Sequence, residues 1–299
     1  MQALVTGATG GIGAAIAARL AAEGVTVTMV GRNEERLEAA ADKIRAATPA
    51  AELRLELADL ALLTEVRELA DRLAGDPPGI VISNAAVIAP VDDITSEGIQ
   101  RTLATNHLAP YLLLRSLADS LISAGSAGGR IIVVGASPRA LSRVPVDLDE
   151  LDSRSGEGLS RIPSARPFAA YGRTKNMNAM FVYALARRLA GSGIAVNGAH
   201  PGIIRDTGLG RDTKGLLRLS GAVLDRFTPP PEAGADTPAW LATAAEIEGV
   251  TGRFFVKRRA VGTAAHTTDE VRCDRLWNES ARLTGLATAT RWESGRRVI

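Results

Sequence analysis

Tyr171 and Lys175 are the residues of this chain whose types and spacing most clearly point to catalysis. They lie in the stretch PFAAYGRTKNMNAM, which reads as the start of a helix, and residues four apart on a helix share one face. An ammonium group beside a phenol favours the phenolate, so Lys175 is expected to lower the pKa of Tyr171 from its usual value of about 10. The pair predicts a proton-transfer site, with a simple surface pair as the other interpretation.

The composition is that of an ordinary globular protein and argues against several classes of function. Of the 299 residues, 46% are hydrophobic and 23% are charged, and 35 basic and 33 acidic residues leave a net charge of only +2. This balance does not favour a nucleic-acid partner or an anionic membrane. The single cysteine, Cys273, excludes an intrachain disulfide, and His107, His200 and His266 lack the spacing of zinc ligands.

The N-terminus and the apolar runs predict where the protein works. The opening MQALVTGATG enters a strand at once, without the charged and apolar regions of a secretion signal. No apolar run reaches the roughly 18 residues that a membrane-spanning helix needs. We therefore expect a cytoplasmic protein without a membrane span.

Short apolar runs alternate with helical patterns through the first two thirds of the chain. Such runs, rich in β-branched residues and lacking strict polar alternation, are typical of strands covered on both faces. Strands alternating with helices predict an α/β fold, a single-domain doubly wound Rossmann fold over residues 1–299 with a mostly parallel sheet of about seven strands. The predicted strands are 3–7, 25–31, 53–57, 79–83, 130–136, 194–202 and 252–257.

A glycine-rich turn, TGATGGIG, follows the first predicted strand. Gly7, Gly11 and Gly13 form a T-G-x3-G-x-G pattern, and glycines here let a pyrophosphate approach the backbone at a helix N-terminus. Placed in a βαβ unit, the pattern predicts a dinucleotide site that also includes Thr9 and Ile12.

The end of the second strand predicts which nicotinamide cofactor binds. Enzymes that use NAD usually place an acid here to hold the ribose hydroxyls, but this chain has Gly31 followed by Arg32 and Asn33. A guanidinium pairs with a 2′-phosphate, which a carboxylate would repel. The expected cofactor is therefore NADP(H), and a solvated arginine at a helix start is the alternative.

Together the motifs TGATGGIG, SNAA, TNHLAPYLLL and YGRTK resemble those of the short-chain dehydrogenase/reductase family. Their order covers nearly the whole chain, and HPGIIRDTGLGR and DRLWNESARLTGL look like the branch of retinol dehydrogenases and protochlorophyllide reductases. The resemblance implies an NADP(H)-dependent ketoreductase or alcohol dehydrogenase for a fairly bulky apolar small molecule. A C=C reductase and a catalytically inactive NADP(H)-sensing protein remain as alternatives.

The resemblance also implies roles for individual residues. Tyr171 would exchange a proton with the substrate, and Lys175 would lower the phenol pKa and hold the nicotinamide ribose. Asn106 would shape the helix and a water relay behind Lys175. The remaining expected cofactor contacts are Glu56, Leu57, Asn84, Ala85, Pro201, Gly202 and Ile203.

The chain departs from the family pattern at three places. The serine expected at the end of the fifth strand falls on Ala136, so Ser137 is the candidate donor to the substrate oxygen. The backbone, a water or the substrate itself are alternatives to Ser137. Ala86 replaces the last glycine of the N-N-A-G motif, and the acid expected after the third strand falls on Glu56, with Asp59 as a rival.

Two long segments, 137–170 and 203–235, interrupt the alternation of strands and helices. Both follow the carboxyl ends of strands, where ligands bind in open α/β sheets, and loops of this length are usually functional. We expect both to act as substrate lids. The first could also obstruct the helix pair through which many members of the family associate, so a homo-oligomer and a monomer both remain open.

Overall fold

The chain folds around one β-sheet. The structure, a computed structural model, describes residues 1–123, 128–141, 146–149, 151, 160–204 and 228–290. In this part of the chain the strands are β1 (Gln2–Thr6), β2 (Thr26–Gly31), β3 (Leu53–Leu57), β4 (Ile80–Ser83), β5 (Arg130–Val134), β6 (Ala195–His200), β7 (Arg253–Val256) and β8 (Arg259–Val261). They form a sheet in the order β3-β2-β1-β4-β5-β6-β7-β8, parallel except for the antiparallel pair β7–β8.

Helices cover both faces of the sheet. The described helices are α1 (Gly11–Ala22), α2 (Glu34–Ala47), α3 (Leu63–Leu73), α4 (Arg101–Leu103), α5 (Ala109–Ser123), α6 (Pro138–Leu141), α7 (Arg166–Arg188), α8 (Pro231–Thr243), α9 (Ala265–Thr268) and α10 (Glu270–Thr284). A π-helical segment (Ala104–Leu108) joins α4 to α5. Within the described ranges, no helix has the length and apolar character needed to cross a membrane.

Alternate residues of the central strands pack into two hydrophobic cores. In β5, Ile131 and Val133 belong to the core under α3, α5, α7 and α10, whereas Ile132 and Val134 belong to the core under α1, α2 and α8. Because both faces are buried, the strand reads as a continuous apolar run. The doubly wound α/β fold predicted from the sequence is confirmed.

The sheet has eight strands where about seven were predicted. The seven predicted strands agree with β1 to β7 to within two residues at each end, and β8 was missed. The turn between β7 and β8 holds Lys257 and Arg258, whose φ angles of 49° and 60° are both positive. Hairpin turns with two positive φ angles are usually signalled by Asn-Gly or Asp-Gly. The Lys-Arg pair gives no such signal.

The two predicted lid segments contain regular structure at their ends. In 137–170, α6 follows β5 and α7 begins at Arg166, whereas 142–145, 150 and 152–159 lie outside the described residues. In 203–235, residues 205–227 lie outside the described residues. From Pro231 onward this second segment forms α8, which packs on α1 and buries Gly234 and Ala235, whereas Glu232 and Ala233 are exposed.

Candidate active site

The glycine-rich loop between β1 and α1 brings the backbone close to a prospective ligand. Gly7 and Gly11 have φ angles of 68° and 54°, in the left-handed region that glycine enters without strain. Gly13 is needed for close packing, because a Cβ there would overlap the carbonyl oxygen of Gly7 and lie 2.6 Å from Asn84 Nδ2. The first N–H groups of α1 lack partners within the helix, so they are available to a phosphate.

Thr6 ties the glycine loop to the end of β4. Its hydroxyl accepts hydrogen bonds from the backbone N–H groups of Asn84 and Ala85 at 3.0 and 3.1 Å. The side chain of Asn84 donates to the carbonyl of Thr6 at 3.0 Å. The chain order of the sheet reverses between β1 and β4, which is where open α/β sheets bind ligands. Sequence analysis did not single out Thr6, although it begins the T-G-x3-G-x-G motif.

A side chain at position 31 would collide with the side chain of Thr9. A Cβ at Gly31 would overlap Cγ2 of Thr9 and lie 3.3 Å from Leu37 Cδ1. The place where NAD enzymes carry an acid is therefore filled by the glycine loop itself. Arg32 follows with an exposed guanidinium, and Asn33 caps α2 by accepting a hydrogen bond from the backbone N–H of Arg36 at 2.8 Å.

Of the two candidate acids after β3, Asp59 is the one beside Arg32. Its Oδ2 lies 3.8 Å from Arg32 Nη1 and 3.9 Å from Arg101 Nη1. Glu56 instead pairs with Arg72 at 2.9 Å. Leu57, the next residue, is exposed at the end of β3. The structure therefore brings the rival acid to Arg32 and commits Glu56 to an ion pair with α3.

A cavity of about 460 Å³ opens beside the glycine loop, between α1, α2 and the start of α8. Thr9 and Gly11 line it on one side, and Arg36 and Lys43 line it from α2. Arg36 thus faces the same concave surface as the glycine loop. The sequence analysis missed Arg36, for which the available signal was a second basic residue shortly after Arg32.

Helix α7 carries Tyr171 and Lys175 one turn apart. Lys175 is buried, and its Nζ donates a hydrogen bond to the carbonyl of Val134 at 3.0 Å. The same Nζ lies 5.6 Å from the centroid of the Tyr171 ring. The bond to Val134 anchors the ammonium group at the carboxyl end of β5, close to the phenol.

Burial shifts the pKa values of this pair in opposite directions. It raises the pKa of Tyr171 to about 12 and lowers the pKa of Lys175 to about 8. The phenol pKa therefore moves opposite to the direction expected from the spacing, because desolvation of the buried phenol disfavours the phenolate. The phenol therefore stays neutral at pH 7, which is the form that can donate a proton, but a pKa of about 12 is farther from the working pH than is ideal for a general acid.

Asn106 lies in the π-helical segment between α4 and α5. Its Oδ1 accepts from the backbone N–H of Val87 at 2.8 Å, and its Nδ2 donates to the carbonyl of Val87 at 2.9 Å and to Thr174 Oγ1 at 3.1 Å. The amide therefore joins the loop after β4 to α7. Single π-helical turns occur frequently at functional sites, and this one carries the side chain that the resemblance assigned to shaping the helix.

Thr174 extends this connection to Tyr171. Its buried hydroxyl accepts the hydrogen bond from Asn106 and donates one to the carbonyl of Tyr171 at 2.7 Å. Sequence analysis did not assign a role to Thr174. The side chains of Asn106 and Thr174 thus connect the π-helical segment to the backbone carbonyl of Tyr171.

Ser137 and Ala136 lie just beyond β5 in different surroundings. Ala136 packs against Ala179 and Phe254 and so belongs to a small core cluster. Ser137 is half-buried and directly precedes α6. Ser137 is thus the first hydroxyl after the strand whose Val134 carbonyl anchors the lysine.

The end of β6 brings Pro201, Gly202 and Ile203 to the same edge of the sheet, because β1, β4, β5 and β6 are parallel. Gly202 has a φ angle of 96°, which favours glycine. The side chain of Ile203 is 77% exposed, and Phe168, one turn before Tyr171 on α7, is 40% exposed. Exposed apolar side chains therefore occur on two of the segments that carry the predicted site residues.

Comparisons with known proteins identify the family. The family model for short chain dehydrogenases matches residues 1–145. Mouse retinol dehydrogenase 13 is 35% identical over 294 residues, which cover 96% of this chain and 84% of that protein. The chain belongs to the short-chain dehydrogenase family. A candidate daunorubicin C-13 ketoreductase from Streptomyces sp. (strain C5) is 35% identical over 94% of this chain and 92% of that protein.

Solved structures of other proteins share the fold. An uncharacterized protein from Mycobacterium paratuberculosis superposes with a TM-score of 0.72 at 26% identity, over 96% of this chain and 94% of that one. A candidate NAD(P)-dependent gluconate 5-dehydrogenase from Beutenbergia cavernae, solved with NADP bound at low occupancy, has a TM-score of 0.64 at 25% identity, over 85% of this chain and 94% of that one. The resemblance to the retinol dehydrogenase branch is confirmed by the relatives' names.

The short-chain dehydrogenase family binds a nicotinamide cofactor, and the residues of this site fit such a group. Gly7, Gly11 and Gly13 keep side chains away from the loop, and Thr6 and Asn84 hold that loop against β4. Among the described residues, no three potential ligands cluster to hold a metal ion. The groups that could do chemistry here are a cofactor at the glycine loop and the phenol and ammonium of α7.

Proposed function

We propose that this short-chain dehydrogenase is an NADP(H)-dependent ketoreductase or alcohol dehydrogenase. It would transfer hydride between the nicotinamide and a carbonyl or hydroxyl carbon of a fairly bulky apolar molecule, with Tyr171 as the acid or base. The observation that carries the proposal is the buried Lys175, anchored at the carboxyl end of β5 beside the Tyr171 ring. The names of retinol dehydrogenase 13 and of the C-13 ketoreductase candidate support alcohol and carbonyl chemistry.

In the direction of reduction, Tyr171 donates its phenolic proton to the substrate oxygen. The cofactor supplies the hydride. Lys175 stabilises the phenolate left behind. One N–H group of its ammonium bonds Val134, and the other two can hold ribose hydroxyls. Asn106 and Thr174 keep the first part of α7 in register with the loop after β4. Ser137 is the candidate second donor to the substrate oxygen.

The preference for NADP(H) over NAD(H) rests on the surroundings of Gly31. The space for an acid at this position is filled by Thr9, so no carboxylate can hold the ribose hydroxyls there. The guanidinium of Arg32 is exposed, and Arg36 lines the cavity that the glycine loop shares. Two basic side chains near the loop suit a 2′-phosphate.

The proposed substrate is apolar because exposed apolar side chains accompany the site. Ile203 and Phe168 are partly or largely exposed, as is Ile162, which lies shortly before the start of α7. Large exposed apolar groups are informative when they gather near a pocket. A retinoid aldehyde and a polycyclic aromatic ketone are suitable first substrates.

The test compares Tyr171→Phe with a matched control on the same helix. Tyr183→Phe removes a hydroxyl that bonds Thr263, away from Lys175. We expect Tyr171→Phe to bind NADPH normally, as measured by cofactor fluorescence. Its turnover should fall by ~100-fold or more, since general acids contribute about 10²–10⁴-fold. Tyr183→Phe should retain turnover. Normal turnover by Tyr171→Phe would remove the phenol from the mechanism.

Cofactor choice is tested on the same purified protein. NADPH should bind more tightly than NADH, and Arg32→Ala should weaken the binding of NADPH by about 10-fold while leaving NADH unchanged, since a charge-assisted hydrogen bond contributes about that factor. Equal binding of the two cofactors by the unaltered protein would contradict the NADP(H) assignment.

A further inference from the structure

The methyl group of Thr9 occupies the space in which a side chain at position 31 would stand. A Cβ built on Gly31 overlaps Cγ2 of Thr9, whereas Cβ of Thr9 lies at an ordinary 3.8 Å. Nonbonded carbon atoms are at their optimal separation at about 3.5–4.0 Å. The overlap with Thr9 therefore involves only its methyl group.

Backbone hydrogen bonds hold Gly31 and the residue that precedes Thr9. The N–H of Ala8, next to Thr9, donates to the carbonyl of Val30 at 3.1 Å, which ties the glycine loop to the end of β2. The carbonyl of Gly31 accepts from the N–H of Ala58 at 3.0 Å, and Gly31 is in register with Leu57 of β3. Because neither backbone can retreat without breaking these bonds, a side chain at position 31 would have to displace the Thr9 side chain or the loop.

We infer that Thr9 limits cofactor specificity through position 31, because any side chain there, a carboxylate included, must displace the Thr9 methyl. This inference rests on the proposed function and names one of its causes. An acid at the end of the second strand is what selects NAD in related folds, by bonding the ribose hydroxyls and repelling a 2′-phosphate. With glycine at position 31, the charged side chain that follows the strand is the exposed guanidinium of Arg32.

The inference makes positions 9 and 31 interdependent. Gly31→Asp alone introduces the acid but pushes against the Thr9 methyl, so the loop that should hold the pyrophosphate is displaced. Thr9→Ser removes only the methyl and keeps the hydroxyl, so it opens the space without changing the polarity of the loop. The acid should therefore select NADH only when both substitutions are present.

The experiment uses the unaltered protein, Thr9→Ser, Gly31→Asp and the double variant. Dissociation constants for NADPH and NADH are measured by cofactor fluorescence, and melting temperatures are recorded in parallel. Thr9→Ser alone is the reference for the double variant, so that any effect of the lost methyl on NADPH binding is measured separately from the effect of the acid. Gly31→Asp should bind both cofactors at least ~10-fold more weakly. The double variant should bind NADH ~10-fold more tightly than Gly31→Asp does, the factor that a hydrogen bond to a carboxylate supplies.

Two further variants test the packing without a charge. Gly31→Ala should lower the melting temperature, and Thr9→Ser combined with Gly31→Ala should restore much of it. Additive effects at the two positions, in binding and in melting temperature, would overturn the inference while leaving NADP(H) binding by the unaltered protein intact. An unaltered protein that binds neither cofactor would instead overturn the proposed function, and this inference with it.

Discussion

Replacing Thr174 by valine tests whether the contacts between Asn106 and the candidate acid matter. Valine has the same shape and the same β-branching, so it fits the helix about as well as threonine. It removes the hydroxyl that accepts from Asn106 Nδ2 and donates to the carbonyl of Tyr171. The variant therefore isolates the polar contacts from the packing.

The expected loss of stability follows from the two hydrogen bonds. Asn106 is 1% exposed, so the N–H that loses its partner stays buried, which costs about 1–3 kcal/mol. The lost bond to the carbonyl of Tyr171 adds about 0.5–1.5 kcal/mol. A loss of about 2–4 kcal/mol should lower the melting temperature by about 4–8 °C in a chain of this size.

The assay measures melting temperature, NADPH binding and turnover for Thr174→Val and for the control Thr174→Ser. Serine keeps the hydroxyl and loses one methyl, at a cost of about 1 kcal/mol. We expect the valine variant to bind NADPH normally and to lose about 10-fold in turnover, since a shift of about 1 Å in a catalytic group can cost ~100-fold. A valine variant as stable and as active as the serine variant would refute the reasoning.

Two other predictions concern the loop and a buried histidine. Gly13→Ala should lower the melting temperature, because the added Cβ would overlap the carbonyl oxygen of Gly7. The control Gly10→Ala should not, because its Cβ would meet no atom within 4 Å. Equal melting temperatures of the two variants would contradict this prediction. Burial lowers the pKa of His107 to about 4, so the unfolded chain binds a proton from about pH 6.5 downward and the folded chain does not. The free energy of unfolding should therefore fall by about 3 kcal/mol between pH 6.5 and 4, as measured by urea unfolding. The same pH change should lower it by less in His107→Gln. Equal losses in the two proteins would show that His107 is not the cause.

Much of the fold and part of the site could be predicted because the signals are local. The strands of the sheet are short apolar runs, and burial on both faces leaves that mark on each run separately. The glycine loop and the pair of Tyr171 and Lys175 are likewise defined by spacings within one turn or one helix. The hairpin of β7 and β8 was missed for the same reason, since Lys257 and Arg258 adopt its turn without the usual residues.

Other parts of the site depend on contacts between distant segments. Asn106 and Thr174 are 68 residues apart, and Thr6 and Asn84 are 78 apart, so no spacing reveals either hydrogen bond. The choice of Asp59 over Glu56 as the acid beside Arg32 also depends on how β3 and the following turn pack.

By itself the sequence determined the order of strands and helices, the glycine loop at the end of the first strand and the residues that could transfer a proton, because each is encoded by neighbours along the chain. Only the tertiary structure decided the direction of the pKa shift of Tyr171 and the reason for glycine at position 31. Desolvation depends on everything packed around the phenol, and the space beside Gly31 is filled by a threonine from another loop.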